Sequence, residues 1–111
     1  MKTYELKTAY GDYQVNVVKS YYQNNDTLAI LAYDSNTGDL VEVLTTNIHD
    51  SDTFANSKEA FVDTNNCPWA ISFIEQNGLG KATGYYGYSG FCKYPLYQFN
   101  VDEIEDLEIY A

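Results

Sequence analysis

Cys67, Cys92 and His49 are the side chains best suited to nucleophilic or metal chemistry, and their spacing favours neither. A Cys–His nucleophile needs both groups within hydrogen-bond reach and a third group to orient the imidazole. His49, the single histidine, lies in the polar stretch Asn47-Ile48-His49-Asp50, which reads as an exposed loop. Zinc ligands come in short pairs, whereas the two cysteines stand 25 positions apart. Cys67 precedes a candidate helix, where the helix dipole would favour thiolate, so a small hydrolase or transferase is the enzyme-class alternative. The run Gly78-Leu79-Gly80-Lys81-Ala82-Thr83-Gly84 resembles a phosphate loop only superficially. Its glycines follow a helix instead of opening one, and Ala82 stands where a hydroxyl is required. We expect no catalytic residue, no cofactor and no metal.

Two other groupings suit binding. Tyr85-Tyr86-Gly87-Tyr88-Ser89-Gly90-Phe91 alternates rings with small residues, the mixture that adaptable binding surfaces use for area and fit. The structural alternative is a twisted loop or strand whose rings pack on the sheet. The C-terminal run holds Asp102, Glu103, Glu105, Asp106 and Glu108 with no basic residue among them. Such carboxylates form either a solvated face or, together with Asp50 and Asp52, a strip that meets Lys and Arg of a basic partner. Tyr85, Tyr86 and Tyr88, with those five acids, are the candidate partner-binding residues.

The elements that position these groups follow from periodicity. Residues 2–8, 13–22 and 40–46 alternate apolar and polar side chains, and 27–34 is nearly continuous in apolar residues. These read as strands of an N-terminal meander, with 27–34 central and covered on both faces. Asn36-Thr37-Gly38-Asp39 supplies a hairpin turn. A short helical turn is expected around Ser57 to Phe61. The clearest helix is 68–77: Pro68 suits a first helical position, Trp69, Ala70, Phe73 and Ile74 share one stripe, and Asn77-Gly78 ends it. Five of the seven glycines fall between Gly78 and Gly90, which predicts a long irregular loop. Residues 94–99 read as a last strand, and Pro95 near its start predicts an edge position. Val101, Ile104 and Leu107 recur every three residues, which predicts a short terminal helix.

The composition narrows the partners. The chain has 111 residues, with 16 acids against six lysines, no arginine, and a net charge of −10. Neutralising phosphates takes Lys and Arg, so direct nucleic-acid binding is not expected, nor is attachment to an anionic membrane. A basic protein partner suits this charge, and so does imitation of nucleic acid; plain solubility is the simplest account of it. The opening residues carry no apolar targeting segment and no run is long enough to span a bilayer, so a cytoplasmic protein with free thiols is expected.

Several blocks resemble a known family. They are Phe61-Val62-Asp63-Thr64-Asn65-Asn66-Cys67-Pro68-Trp69-Ala70, Phe73-Ile74, Asn77-Gly78-Leu79-Gly80-Lys81, Ser89-Gly90-Phe91 and Tyr94-Pro95-Leu96-Tyr97, with Lys2 to Thr8 more loosely. Together they resemble a family of short uncharacterised bacterial proteins, a domain of unknown function associated with gut Firmicutes and their mobile elements. The resemblance implies no established activity. Tyr85-Tyr86 stands where a basic residue is expected in relatives, which makes this segment less able to hold an anion. By analogy with small acidic proteins of mobile elements, the setting suggests an inhibitor of a host defence or nucleic-acid-binding protein.

Taken together, these readings predict one α+β domain over residues 1–111. It has an antiparallel sheet of four to five strands with one main helix near 68–77 packed on it. The expected function is non-enzymatic: an acidic binding protein acting by charge mimicry, or an accessory domain holding a protein segment or small ligand through its aromatic, glycine-rich loop.

Overall fold

The computed structural model describes residues 2–22, 27–48 and 56–107. The α+β class holds, but the strands form two sheets instead of one. The first contains β1 (Tyr4–Thr8), β2 (Gly11–Tyr21), β3 (Leu28–Asp34) and β4 (Leu40–Val43) in that order, all antiparallel. Val15 to Val18 of β2 are all buried, since this strand is flanked on both edges and covered on both faces. β3 lies between β2 and β4, as its continuous apolar run predicts. In the β3–β4 turn the Asp34 carboxylate accepts the N–H groups of Asn36 and Thr37, and Gly38 takes φ 78°.

The expected strand 40–46 is split. After β4 the chain crosses at Leu44, which is fully buried, and resumes as β5 (Thr45–Thr46) in the second sheet. Backbone bonds from Leu44 to Ile30 and from Asp63 to Leu44 fix this crossing. The Ile30 N–H also donates to the Thr45 hydroxyl at 3.1 Å. The second sheet runs β5, β6 (Glu59–Val62), β8 (Cys92–Phe99), β7 (Gly80–Ser89). One core joins the two sheets: Leu6, Val17, Ile30 and Leu44 meet Val62, Tyr97 and Phe99 beneath the helix.

That helix, α1 (Ala70–Gln76), buries Ala70, Phe73 and Ile74. Its end has a complete glycine cap. Gly78 takes φ 65°, its N–H reaches the Glu75 carbonyl, and the Leu79 N–H reaches Ile74. Leu79 is buried, which anchors the exit.

Four local expectations are corrected. Only Ser57 and Lys58 form a turn, with the Asn56 side chain accepting the Lys58 N–H; Phe61 belongs to strand β6, where it faces Leu96. Residues 80–89 are a strand, not an irregular loop. Their glycines serve close packing: a Cβ on Gly80 would lie 2.7 Å from the Gln98 carbonyl oxygen, and one on Gly87 would lie 2.7 Å from the Phe61 ring. β8 is an internal strand, not an edge. Pro95 is tolerated there because the β6 pairing stops at Phe61–Leu96 and the β7 register shifts just beside it. Finally, the terminal segment is a 3₁₀ turn (Val101–Glu103) followed by β9 (Glu105–Asp106), parallel to β2, instead of a helix. Burial of Ile104 and a bond from the Lys19 ammonium to its carbonyl pull the chain into extended form. Among the described residues no helix is long and apolar enough to cross a membrane.

Candidate functional site

Among the described residues, the β7–β8 hairpin carries the densest group of exposed rings. Tyr85, Tyr86, Tyr88 and Phe91 have relative exposures of 71, 46, 59 and 110%. Register explains why. Tyr86 pairs with Pro95 and Tyr88 with Lys93, so these four residues share the face that also carries Tyr97 and Phe99. At the proximal end that face is covered: Tyr97 and Phe99 lie in the main core, and the Tyr97 hydroxyl donates to Glu75 of α1. The helix ends before the distal part, which is left open. The Lys93 ammonium lies 4.1 Å from the Tyr86 ring centroid, a cation–π contact that orients the ring.

The opposite face of the hairpin is seated. Phe61, Tyr94 and Leu96 form a second small core with Ile48 and Cys92 packed against it, and Gly87 lies directly on Phe61. Between Ala82 and Tyr86 the register shifts, and Gly84 takes φ 90°. The Thr83 hydroxyl donates to the Leu96 carbonyl at 2.9 Å and accepts the Tyr85 N–H at 3.1 Å, which holds this bulge. Among the described residues β7 is the end strand of its sheet. No acidic residue occurs from Gln76 to Val101, while Lys81 and Lys93 do, so the hairpin is locally cationic in a chain of charge −10.

The acidic run is only partly a free strip. Asp102, Glu103, Glu105 and Asp106 are exposed. Asp106, however, pairs with Lys19 at 3.1 Å. Asp102 and Glu103 line a groove of about 310 Å³ that Lys58 and Lys81 also line, so its charges are mixed. Glu108, with His49, Asp50 and Asp52, lies outside the described residues.

Cys67 is not a poised nucleophile. It is fully buried and two positions ahead of the helix cap at Trp69, and its thiol donates to the Glu42 carboxylate at 2.9 Å. Burial, then that bond and the charges of Glu42 and Asp63, push the thiol well above its ordinary range. Cys92 is a free thiol on the hairpin, and its hydrogen bond, followed by burial, raises the Tyr94 hydroxyl. Burial and the Glu75 bond raise Tyr97 to about 12. The glycine run after α1 caps the helix and enters β7, so it presents no helix N-terminus to an anion. Among the described residues no three acidic, cysteine or histidine side chains converge to hold a metal.

The family described as Domain of unknown function (DUF4313) matches residues 16–109. The chain belongs to this family. No curated protein and no solved structure matches it. The DUF4313 match spans the Asp63–Trp69 block, α1 and the whole hairpin, while β1 precedes it. In this DUF4313 chain the structure brings together Tyr86, Tyr88 and Lys93, and it separates them from the acidic run. Sequence reasoning missed the Phe61–Gly87 seat, the Glu42–Cys67 bond and the role of Lys93. The alternation Tyr86-Gly87-Tyr88 is the one local signal that could have indicated a strand with a ring-bearing face.

Proposed function

We propose that this chain is a non-enzymatic, cytoplasmic binding protein that holds a protein segment through the aromatic face of its β7–β8 hairpin. The observation that carries this is the pair Tyr86 and Tyr88 on one face of a short hairpin, with Tyr85 and Phe91 exposed beside them, while the other face is fixed by Phe61 and Tyr94. Monomeric proteins seldom leave such rings clustered, and rings held on a rigid support lose little entropy on binding. The buried, proton-retaining Cys67 supports a role without catalysis. Selection of displayed linear peptides on the wild type and on Y85S/Y86S/Y88S tests the reading. Peptides that enrich on the wild type and are lost on the triple variant support it. Equal enrichment on both removes the hairpin from consideration.

A second reading is charge mimicry by the acidic run, toward a basic host defence or nucleic-acid-binding protein. The charge of −10 without arginine favours it, as does the resemblance to proteins of mobile elements. The pairing of Asp106 with Lys19 and the lysines beside Asp102 and Glu103 weaken it. A mimic must lose its partner steeply as salt rises from 0.05 to about 0.5 M. A partner indifferent to salt would sink this version.

A further inference from the structure

Building on the hairpin reading, we infer that the partner of β7 is an extended, acidic peptide segment that adds to the sheet as a new edge strand. Two independent features lead here. The first is backbone geometry. β7 has ten residues and pairs, among the described residues, with β8 alone. Every second residue of such a strand turns its N–H and C=O outward, where a peptide can complete the ladder. The bulge at Thr83–Tyr85 limits regular pairing to the distal part, Tyr86 to Ser89. This is the part that carries the open rings.

The second feature is charge. Residues 76–101 hold Lys81 and Lys93 and no acid, although the chain has 16 acids. Both lysines are exposed. Lys93 stands opposite Tyr88, at the start of the open stretch. A strand paired at Tyr86–Ser89 that continues past the bulge reaches Lys81 after about 16 Å. Lys93 and Lys81 lie on opposite faces of the hairpin, because residues 93 and 98 of β8 alternate and Lys81 pairs with Gln98. An added strand also alternates faces, so carboxylates at both parities find a cation. Lys58 adds a further charge near Lys81, against Asp102 and Glu103 in the same groove.

The net charge does not exclude an acidic ligand. At 0.15 M salt the screening length is about 8 Å, whereas the molecule measures 40 × 29 × 22 Å. A peptide on β7 is therefore governed by the charges beside it: Lys93 and Lys81, against the Glu75 carboxylate that Tyr97 holds at the covered end of the same face. At about 0.01 M salt the screening length grows to about 30 Å and the whole field of −10 opposes binding. Affinity should peak near physiological salt and fall on either side.

The experiment uses three synthetic octapeptides on the full chain: alternating glutamate–valine, alternating lysine–valine, and the glutamate–valine peptide N-methylated at alternate residues. Titration should give at least tenfold tighter binding for the acidic peptide than for the basic one. N-methylation on the pairing side should cost at least tenfold, and K81E/K93E should reverse the charge preference. Acidic and basic peptides binding within twofold, or N-methylation without effect, overturns the inference. So does a chain that dimerises through β7 in sedimentation velocity, because the edge is then occupied by a second copy. If tyrosine-dependent peptides are recovered by selection but show neither acid preference nor N-methyl sensitivity, the hairpin reading stands and this inference falls. If no peptide depends on the tyrosines, both fall.

Discussion

Gly87→Ala is the sharpest probe of how the hairpin is held. A Cβ at position 87 would lie 2.7 and 2.9 Å from two Phe61 ring carbons. Carbon atoms in contact sit about 3.5–4.0 Å apart, so the ring or the strand must give way by close to 1 Å. Phe61 is buried between Leu96 and Tyr94, so it has little room to turn. Overpacking of this kind costs about 1–3 kcal/mol. For a chain of this size about 2 kcal/mol corresponds to a fall in Tm of about 8 °C. Urea unfolding followed by tryptophan fluorescence and circular dichroism provides the assay. Combining the substitution with Phe61→Leu, which removes ring atoms at the point of contact, should recover part of the loss, with a coupling of about 1 kcal/mol in the double-mutant cycle. Unchanged stability in Gly87→Ala, or strict additivity with Phe61→Leu, would refute the seating of the hairpin on that ring.

Other outcomes follow from buried groups. Tyr97 and Cys67 hold their protons more tightly when folded, so their stabilising contribution is complete below their unfolded pKa values and is lost as pH rises. Stability measured by urea should decline above about pH 9, with a slope approaching 1.4 kcal/mol per pH unit for each group, and Tyr97→Phe should flatten the part between pH 10 and 12. Cys67 should react with iodoacetamide far more slowly than an unfolded control peptide, and a native rate equal to that control would contradict its burial. Lys19→Met keeps the aliphatic stem but leaves the Ile104 carbonyl and Asp106 without their cation; a loss of about 1–2 kcal/mol is expected, and no loss would show that β9 is held by other contacts.

Much of the first sheet was legible in the sequence because local pattern and tertiary environment agree. The apolar run 28–34 is central, the Asp34–Gly38 turn forms, and Gly78 caps α1 as its neighbours predict. The misreadings share one cause: long-range contacts overrode local signals. Gly80, Gly84, Gly87 and Gly90 suggested irregularity, yet two of them serve close approach and two serve a bulge and a turn. Val101, Ile104 and Leu107 suggested a helix, but Lys19, far away in sequence, captures the backbone at Ile104 and the carboxylate of Asp106. Pro95 suggested an edge because nothing local reveals where β6 stops pairing. The candidate tyrosines and the acid-free stretch around them were legible from the local alternation of rings with small residues and from the sequence itself, whereas the shared face of Tyr86 and Tyr88 and the seat of the hairpin on Phe61 required the register of β7 and β8 and the packing beneath it.

The most direct test is amide chemical-shift mapping on the ¹⁵N-labelled chain with a peptide recovered by selection. The hairpin account predicts shifts concentrated from Gly80 to Lys93, strongest at Tyr86 and Tyr88, and their loss in Y85S/Y86S/Y88S with the fold intact. Shifts confined to Val101–Asp106 and Lys19, with the hairpin silent, would contradict it and return the acidic run to the centre of the molecule's function.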